Sequence, residues 1–476
     1  MRNSIITKGP DTNFGERTHL DIETIEKYDV TGPRYTSYPT AVELHDGIQA
    51  LDYEKAALDA NGALLPRGLS LYLHLPFCRH LCFYCGCNKV VTKNKQKSDK
   101  YLEYLFREIR MHGDLADGDR SVRQLHLGGG TPTFYSADQI ELLMNQIHRY
   151  FTLVSDKDRD YSIEIDPRTV GYQYLLSLIR LGFNRISLGV QDFDPDVQKA
   201  VHRIQPEAQT RELILQARSL GFRSINVDLV YGLPRQTERS FGLTLDRIVS
   251  CAPDRISVYS YAHLPNMFPA QKRIDEQDLP SAEEKIALHK LTAEKLLTAG
   301  YRHIGMDHFA RPGDSLITAA SQQTLHRNFQ GYTTHKDCDL IGIGVSAIGS
   351  FDEFYYQNAR GLEDYYDLID KNQIPISKGL ELGPDDSLRK SIIMQVMCEG
   401  KIIKSQIEQY FDIKFDVYFK SELQALNKLA EDGLVEIEAD GIEITPVGRF
   451  FLRNIAMVFD AYSKVRGREV RFSKTL

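Results

Sequence analysis

No apolar run in this sequence approaches the roughly 20 residues that a helix needs to cross a bilayer. The first segment, MRNSIITKGPDTNFGERTH, has no apolar core either, so neither a spanning helix nor a secretory leader is expected. Basic charge is not in excess: 58 Lys and Arg stand against 65 Asp and Glu, a net charge of -7. That balance argues against a nucleic-acid partner or an anionic membrane surface. Cysteine is scarce and odd in number, seven in 476 residues, with four of them inside residues 78–87. Such crowding does not suit a disulfide framework, and a reducing cytoplasm is the expected setting. Apolar residues are not depleted as they are in disordered chains, since 42% hydrophobic and 26% charged is ordinary globular composition. The length suggests two or three domains with room for a large core.

The crowded thiols sit in LSLYLHLPFCRHLCFYCGCN. Cys78, Cys82 and Cys85 are spaced C-x3-C-x2-C, and Cys87 follows one residue later. Before them Leu69, Leu71, Leu73 and Leu75 alternate with Ser70, Tyr72 and His74. A period of two predicts a strand, and Pro76 ends it, so the thiols ride on a loop. Buried structural thiols scatter through a chain; these cluster. Structural zinc usually takes two separated pairs, and no second Cys or Cys/His pair follows. An iron–sulfur cluster is preferred to zinc or to no metal. Three thiolates can hold three irons of a four-iron cube and leave the fourth open, as a catalytic metal requires.

In this spacing the loop resembles that of the radical S-adenosylmethionine enzymes. HLPFCRHLCFYCGCNKVVT resembles one family among them, the oxygen-independent coproporphyrinogen III oxidases. So do GPRYTSYPT (residues 32–40), LHLGGGTPT, YGLP, YAHLP, GMDHFA and HRNFQGYTT (residues 326–334). The resemblance runs from about residue 30 to the end. It implies anaerobic oxidative decarboxylation of two propionates of coproporphyrinogen III to vinyl groups, giving protoporphyrinogen IX in haem biosynthesis. Hydrogen abstraction would come from a 5'-deoxyadenosyl radical. The implied cofactors are a [4Fe-4S] cluster and S-adenosylmethionine, two molecules of it. The implied partners are a flavodoxin- or ferredoxin-like electron donor and an unidentified acceptor, acting on a monomer.

From residue 69 strands alternate with helices. Strands are predicted at 69–75, 122–127, 161–166, 185–190, 224–231 and 255–261. Ser98 is read as the cap of the first helix. Ser136 with Gln139 and Ser281 with Glu284 form capping boxes, and Gly182, Gly221 and Gly300 mark helix ends. Six βα units imply a parallel sheet that curls, yet cannot close an eight-strand ring. An α/β fold with a partial, open (β/α)6 barrel is therefore expected, as the resemblance also implies. Residues 1–50 are assigned to an N-terminal arm, mobile at its start and stiff in GPRYTSYPT, which either packs as a linker or covers the site. Residues 51–360 are assigned to the barrel and its extension. Residues 361–476 are assigned to a mainly helical, winged-helix-like domain, with helices at 404–411 and 416–432 and a hairpin at Asp440-Gly441. Its acids, among them Glu431, Asp432, Glu436, Glu438 and Glu443, argue against DNA and suit a lid or scaffold. The basic tail VRGREVRFSKTL is read as solvated.

Chemistry is expected at the C-terminal ends of the strands. Gly128, Gly129, Gly130 and Thr131 follow strand two, Glu164 and Gln191 end strands three and four, Asp228 is late in strand five, and Ala262 ends strand six. Glycines admit close backbone approach, the carboxylates can accept from an ammonium or ribose hydroxyls, and Tyr84 offers a π-face. Matched residue by residue, the resemblance implies that Cys78, Cys82 and Cys85 bind the cluster and that Cys87 does not. Tyr72, Gly129 and Glu164, with Ile348 nearby, would hold one S-adenosylmethionine. Tyr84, Gly130, Thr131, Gln191, Arg203, Asp228 and Ala262 would hold a second; the family equally allows phenylalanine at 84. Arg34, Arg311 and Arg327 are candidate anchors for propionates, by the bidentate fork of arginine. Two alternatives from the same superfamily are a haem-binding chaperone and a haem-modifying methyltransferase. The chaperones lack the Cys85-Gly86-Cys87 pair and the arm, and both are present here.

Overall fold

The computed structural model describes residues 22–157, 159–465, 472, 474 and 475. All six predicted strands are there: β1 (Gly68–Leu75), β2 (Val122–Gly129), β3 (Asp160–Ile165), β4 (Arg185–Gln191), β5 (Ser224–Tyr231) and β6 (Arg255–Ser260). They pair in chain order and in parallel. Alternation explains both faces. Leu71, Leu125, Ile163, Leu188, Val227 and Ile256 are buried in one apolar core under the helices. Gln124, His126, Ser162, Ser187, Asn226 and Ser257, their opposite-facing neighbours, line a small polar cavity of about 170 Å³. The barrel interior is therefore polar, which leaves room for chemistry at its mouth.

Helices return each strand to the next. The first, α1 (Lys95–Leu115), is capped by Asn94, whose side chain accepts from the Gln96 amide at 3.0 Å. Ser98 is not the cap: it lies inside the helix, and its hydroxyl donates to the Lys95 carbonyl at 2.6 Å. The helix starts earlier because Asn94 offers the better capping acceptor. Both predicted capping boxes are formed, at α2 (Ala137–Tyr150) and before Ala282–Thr298. Gly182, Gly221 and Gly300 follow helix ends with φ of +95°, +85° and +87°.

The sheet remains open but extends beyond the six strands. β7 (Arg302–Gly305) and β8 (His308–Ala310) add antiparallel to the β6 edge. At the other edge β9 (Cys338–Ile343) lies parallel to β1, and β10 (Ile348–Phe351), β11 (Phe354–Asn358) and β12 (Ile376–Glu381) continue antiparallel. Twelve strands result, in the order 12-11-10-9-1-2-3-4-5-6-8-7. The sheet does not stop at residue 360, because β12 pairs with β11 and the helix Leu362–Asp370 packs on α1. Glu108 of α1 ties this edge together. Its carboxylate, fully buried, accepts from the Gly344 amide at 2.8 Å, Asn358 Nδ2 at 2.6 Å and the Tyr365 hydroxyl at 2.5 Å.

Beyond β12 a second core gathers the C-terminal helices and a three-stranded sheet of β13 (Lys401–Ile403), β14 (Val435–Ile437) and β15 (Gly441–Ile444). The helix at Lys404–Phe411 is as predicted, whereas the one expected over 416–432 breaks at Phe419 into Phe415–Tyr418 and Lys420–Glu431. The arm joins this core: Ile25, Tyr35 and Tyr38 are buried in it. Arg453 Nε donates to the Pro33 carbonyl at 2.8 Å and the Tyr35 hydroxyl to Asp460 at 2.7 Å. Residues 22–28 form a helix; residues 1–21, where mobility was expected, lie outside the described residues. So does most of the basic tail, but Lys474 pairs with Asp29 at 2.5 Å and the Thr475 hydroxyl donates to the Tyr28 carbonyl. Among the described residues no helix is long and apolar enough to cross a membrane.

Candidate active site

The C-terminal ends of β1 to β5 surround a cavity of about 770 Å³. Cys78, Cys82, Cys85 and Cys87 all open into it, and none forms a disulfide. The loop that carries them is pinned at its start, where Phe77–Cys78 pairs with Val90–Val91. Thr131 Oγ1 donates to Cys78 Sγ at 3.2 Å, and Arg203 Nη1 lies 3.5 Å from Cys82 Sγ. Lys89 Nζ donates to the Cys85 carbonyl at 3.0 Å. Donors and cations around sulfur favour the thiolate, which is the form that binds iron. In the metal-free protein burial pushes the Cys78 thiol up to about 12, while a bond from Cys87 draws Cys85 down to about 6.

Beside the thiols runs the end of β2. Gly129 has φ of +115°, and a Cβ there would lie 2.8 Å from the His74 ring; one on Gly130 would lie 2.4 Å from the Pro76 carbonyl oxygen. Only glycine lets this edge lie against the thiol loop. Its free amide is used: Gly129 N–H donates to Glu164 Oε2 at 3.2 Å. Glu164 also meets His126 Nε2 at 3.4 Å, and His126 Nδ1 meets Ser162 Oγ at 2.7 Å. β4 ends in a bulge, where register shifts between Gly189 and Gln191 and Gln191 takes φ of +71°. A strained bulge of this kind re-aims a side chain at a site. Asp228 accepts from Ser187 Oγ at 2.5 Å and from Asn226 Nδ2 at 2.9 Å. Burial, with repulsion from Glu164, pushes its carboxyl up to about 6.

Of the residues picked out from sequence, Tyr84, Gly129, Gly130, Thr131, Glu164, Gln191, Arg203 and Asp228 line this cavity with the four thiols. Three do not. Tyr72 packs on Gly128 beside Glu164 and stacks on His126, with ring centroids 5.9 Å apart. Ile348 opens β10, and its backbone packs on Gly342, the β9 residue in register with Tyr72. Ala262 is linked to Tyr84 through Gln271, whose Nε2 donates to both carbonyls, at 3.2 and 3.0 Å. The three arginines named as anchors lie elsewhere. Arg34 pairs with Asp307 at 3.2 Å and reaches the Ser260 carbonyl. Arg327 is buried against the arm, donating to the Tyr35 carbonyl at 3.2 Å. Arg311 bonds to Ala252 and Asp254, just before β6, at the opposite end of the strands. No described residue of the arm lines the cavity.

Sequence reading named Arg203 but missed Asp166 and Arg168, which sit beside it at the cavity wall. Asp166 sits between Arg168, whose Nη2 is at 2.6 Å, and Arg203, whose Nη2 is at 3.4 Å. Arg203 is buried, donates to the Gly189 carbonyl at 2.6 Å, and leaves its Nε without a partner. An orphaned buried donor at a cavity wall waits for a ligand acceptor. Asp166 and Arg168, in DPRT after β3, carried the same positional signal as Glu164. Gln271 carried none, because its partners are set only by the fold.

Comparison with known proteins agrees with this architecture. The Radical SAM superfamily model matches residues 72–248, and the HemN C-terminal domain model matches residues 382–451. The oxygen-independent coproporphyrinogen III oxidase of Pseudomonas aeruginosa is 48% identical, over 96% of this chain and 98% of that protein. Its Escherichia coli K12 counterpart is 45% identical over the same shares of the two chains, 96% and 98%. The solved coproporphyrinogen III oxidase (HemN) from Escherichia coli, described as a radical SAM enzyme, superposes with a TM-score of 0.89 at 44% identity. That alignment covers 94% of this chain and 100% of the other. Superfamily membership implies a [4Fe-4S] cluster and S-adenosylmethionine. The thiol loop, the open parallel barrel and the C-terminal unit thus converge with the likeness of nearly the whole chain: this protein belongs to the oxygen-independent coproporphyrinogen III oxidases, radical S-adenosylmethionine enzymes of haem biosynthesis.

Proposed function

We propose that Cys78, Cys82 and Cys85 hold the cluster, and that the cavity they face is where two propionates of coproporphyrinogen III lose carbon dioxide and become vinyl groups. One observation supports this above the rest: the three thiols share a single cavity with the glycine edge of β2, Glu164 and Asp228. When bound, the cluster and S-adenosylmethionine supply the one-electron hydrogen abstraction from unactivated carbon that no side-chain acid or base performs. The chain positions and shields. Glu164, fixed by the Gly129 amide, accepts from the ammonium of one S-adenosylmethionine, with Tyr72, Gly129 and Ile348 around it. Arg203, through its unused Nε, and Asp228 take polar groups of a second, with Tyr84, Gly130, Thr131, Gln191 and Ala262 completing that site. The enzyme works as a cytoplasmic monomer, with an external one-electron donor and an external acceptor.

The test is anaerobic reconstitution with iron, sulfide and a reductant, followed by product analysis. Wild type is expected to form 5'-deoxyadenosine and to release two carbon dioxide molecules from each coproporphyrinogen III. Cys82→Ala is expected to do neither. Equal yields from the two proteins would overturn the assignment.

A further inference from the structure

We propose that the basic segment flanking the thiol loop is the docking surface for an acidic one-electron carrier protein of the flavodoxin or ferredoxin class. The inference rests on the cluster assignment above and adds the face through which the electron arrives. Residues 79–100 carry Arg79, Lys89, Lys93, Lys95, Lys97 and Lys100 against a single acid, Asp99, in a chain whose net charge is -7. All but Lys89 are exposed. Arg79, Lys93 and Lys97 have no hydrogen-bond or ion-pair partner among the described residues.

Folding accounts for Lys95, which donates to the Phe134 carbonyl and lies 3.8 Å over its ring, and for Lys100, 4.7 Å over the Tyr366 ring, but not for Arg79, Lys93 and Lys97. Lys95 and Lys97 occupy the first turn of α1, which holds no acid. The positive end of the helix macrodipole disfavours cations there and favours Asp or Glu. Burial and then repulsion from Arg79 lower the Lys95 ammonium below its usual value. Two cations in that turn, with the unpartnered Arg79 and Lys93 ahead of it, point to an external partner. Val91, 43% exposed, gives the collar a small apolar centre, the anatomy of a polar-rimmed interface. Cys87 is exposed and Cys85 half-buried, and both line the cavity that Arg79, Lys93 and Lys95 also line.

The extent of the collar favours a protein over the tetrapyrrole. Arg79, Lys93 and Lys95 stand at the cavity mouth, but Lys97 and Lys100 lie outside it on α1. A carboxylate-bearing substrate inside the cavity cannot meet those two; an acidic protein surface can span both sets. The carrier arrives reduced, gives one electron, and leaves oxidised by one electron.

The test uses the reconstituted holoenzyme with a purified acidic flavodoxin, comparing wild type with the Lys97→Glu/Lys100→Glu double variant, at two exposed positions outside the cavity. The variant is suited to the helix dipole, so its fold should hold. The second-order rate of cluster reduction by reduced flavodoxin should fall about ten-fold or more, and its salt dependence should flatten. Calorimetry should show the matching loss of affinity for oxidised flavodoxin. Turnover driven by photoreduced deazaflavin, an uncharged reductant, should not change. Equal flavodoxin rates and affinities in the two proteins would overturn the docking surface while leaving the cluster assignment intact. So would a raised KM for coproporphyrinogen with deazaflavin as reductant, which would give the collar to the substrate. A wild type that takes up no cluster would overturn both assignments together.

Discussion

Two side chains show how narrowly single positions are set. A Cβ on Gly130 would lie 2.4 Å from the Pro76 oxygen and 3.1 Å from Cys78 Sγ. Gly130→Ala must therefore push the thiol loop, an overpacking worth about 1–3 kcal/mol that falls on Cys78. The expected outcome is a folded protein, unchanged in circular dichroism, that takes up less iron; full iron loading would show that the loop yields elsewhere. Asp228 is held up at about 6, against an ordinary 3.8, chiefly by burial. A raised carboxyl binds its proton more tightly in the folded state, so the ionised form costs stability. That cost is absent below about 3.8 and complete above about 6. Asp228→Asn should then gain roughly 1–3 kcal/mol over wild type at pH 7.5 and almost nothing at pH 4. Thermal denaturation across that range measures the gap, and a gap that does not widen with pH would contradict the burial argument.

At the scale of elements, α1 does two jobs. Its first turn carries the basic collar, and its middle carries Glu108 under the added edge of the sheet. Removing that carboxylate strands the Gly344 amide, Asn358 and the Tyr365 hydroxyl in the core. Glu108→Ala should cost about 3 kcal/mol or more, read as a lower urea midpoint. A loss under about 1 kcal/mol would mean that the edge strands hold without it. β9 to β12 were not legible as strands of this sheet in the sequence. The glycine-rich apolar stretch DLIGIGVSAIGS reads as a strand–turn, which β9 and β10 form, but only the pairing reveals that they, with β11 and β12, extend this sheet.

Across the whole molecule, the two large hydrophobic cores are joined by the arm. Its tyrosines lie in the C-terminal core, while Arg34 reaches the end of β6 and Tyr355 of β11 donates to the Tyr38 carbonyl at 2.9 Å. Arg453 is the main clasp, donating to the carbonyls of Gly32, Pro33 and Lys474. Burial draws its guanidinium down to about 10, so it is held by geometry rather than by solvation. Arg453→Ala should lower stability by about 2–4 kcal/mol and expose residues 29–45 to protease, with iron loading kept because the thiol loop packs outside the C-terminal core, through Phe77 on the barrel core and Phe83 and Tyr84 on a small cluster of their own. Loss of iron in step with arm release would instead mean that the two cores fold as one.

The amino-acid sequence alone determined what is written at short range. The alternation of Leu69 to Leu75, the thiol spacing, the two capping boxes and the glycines after helices are all set by residues a few positions apart. Tertiary structure decided what depends on residues hundreds of positions apart. It placed Arg311 at the wrong end of the strands for an anchor and set Arg203 and Arg168 on either side of Asp166. It also gave Gln271 to both Tyr84 and Ala262 and carried the sheet past residue 360. Strand period and cap chemistry are properties of the local backbone, whereas the partner of a long polar side chain is fixed only when the chain folds back on itself.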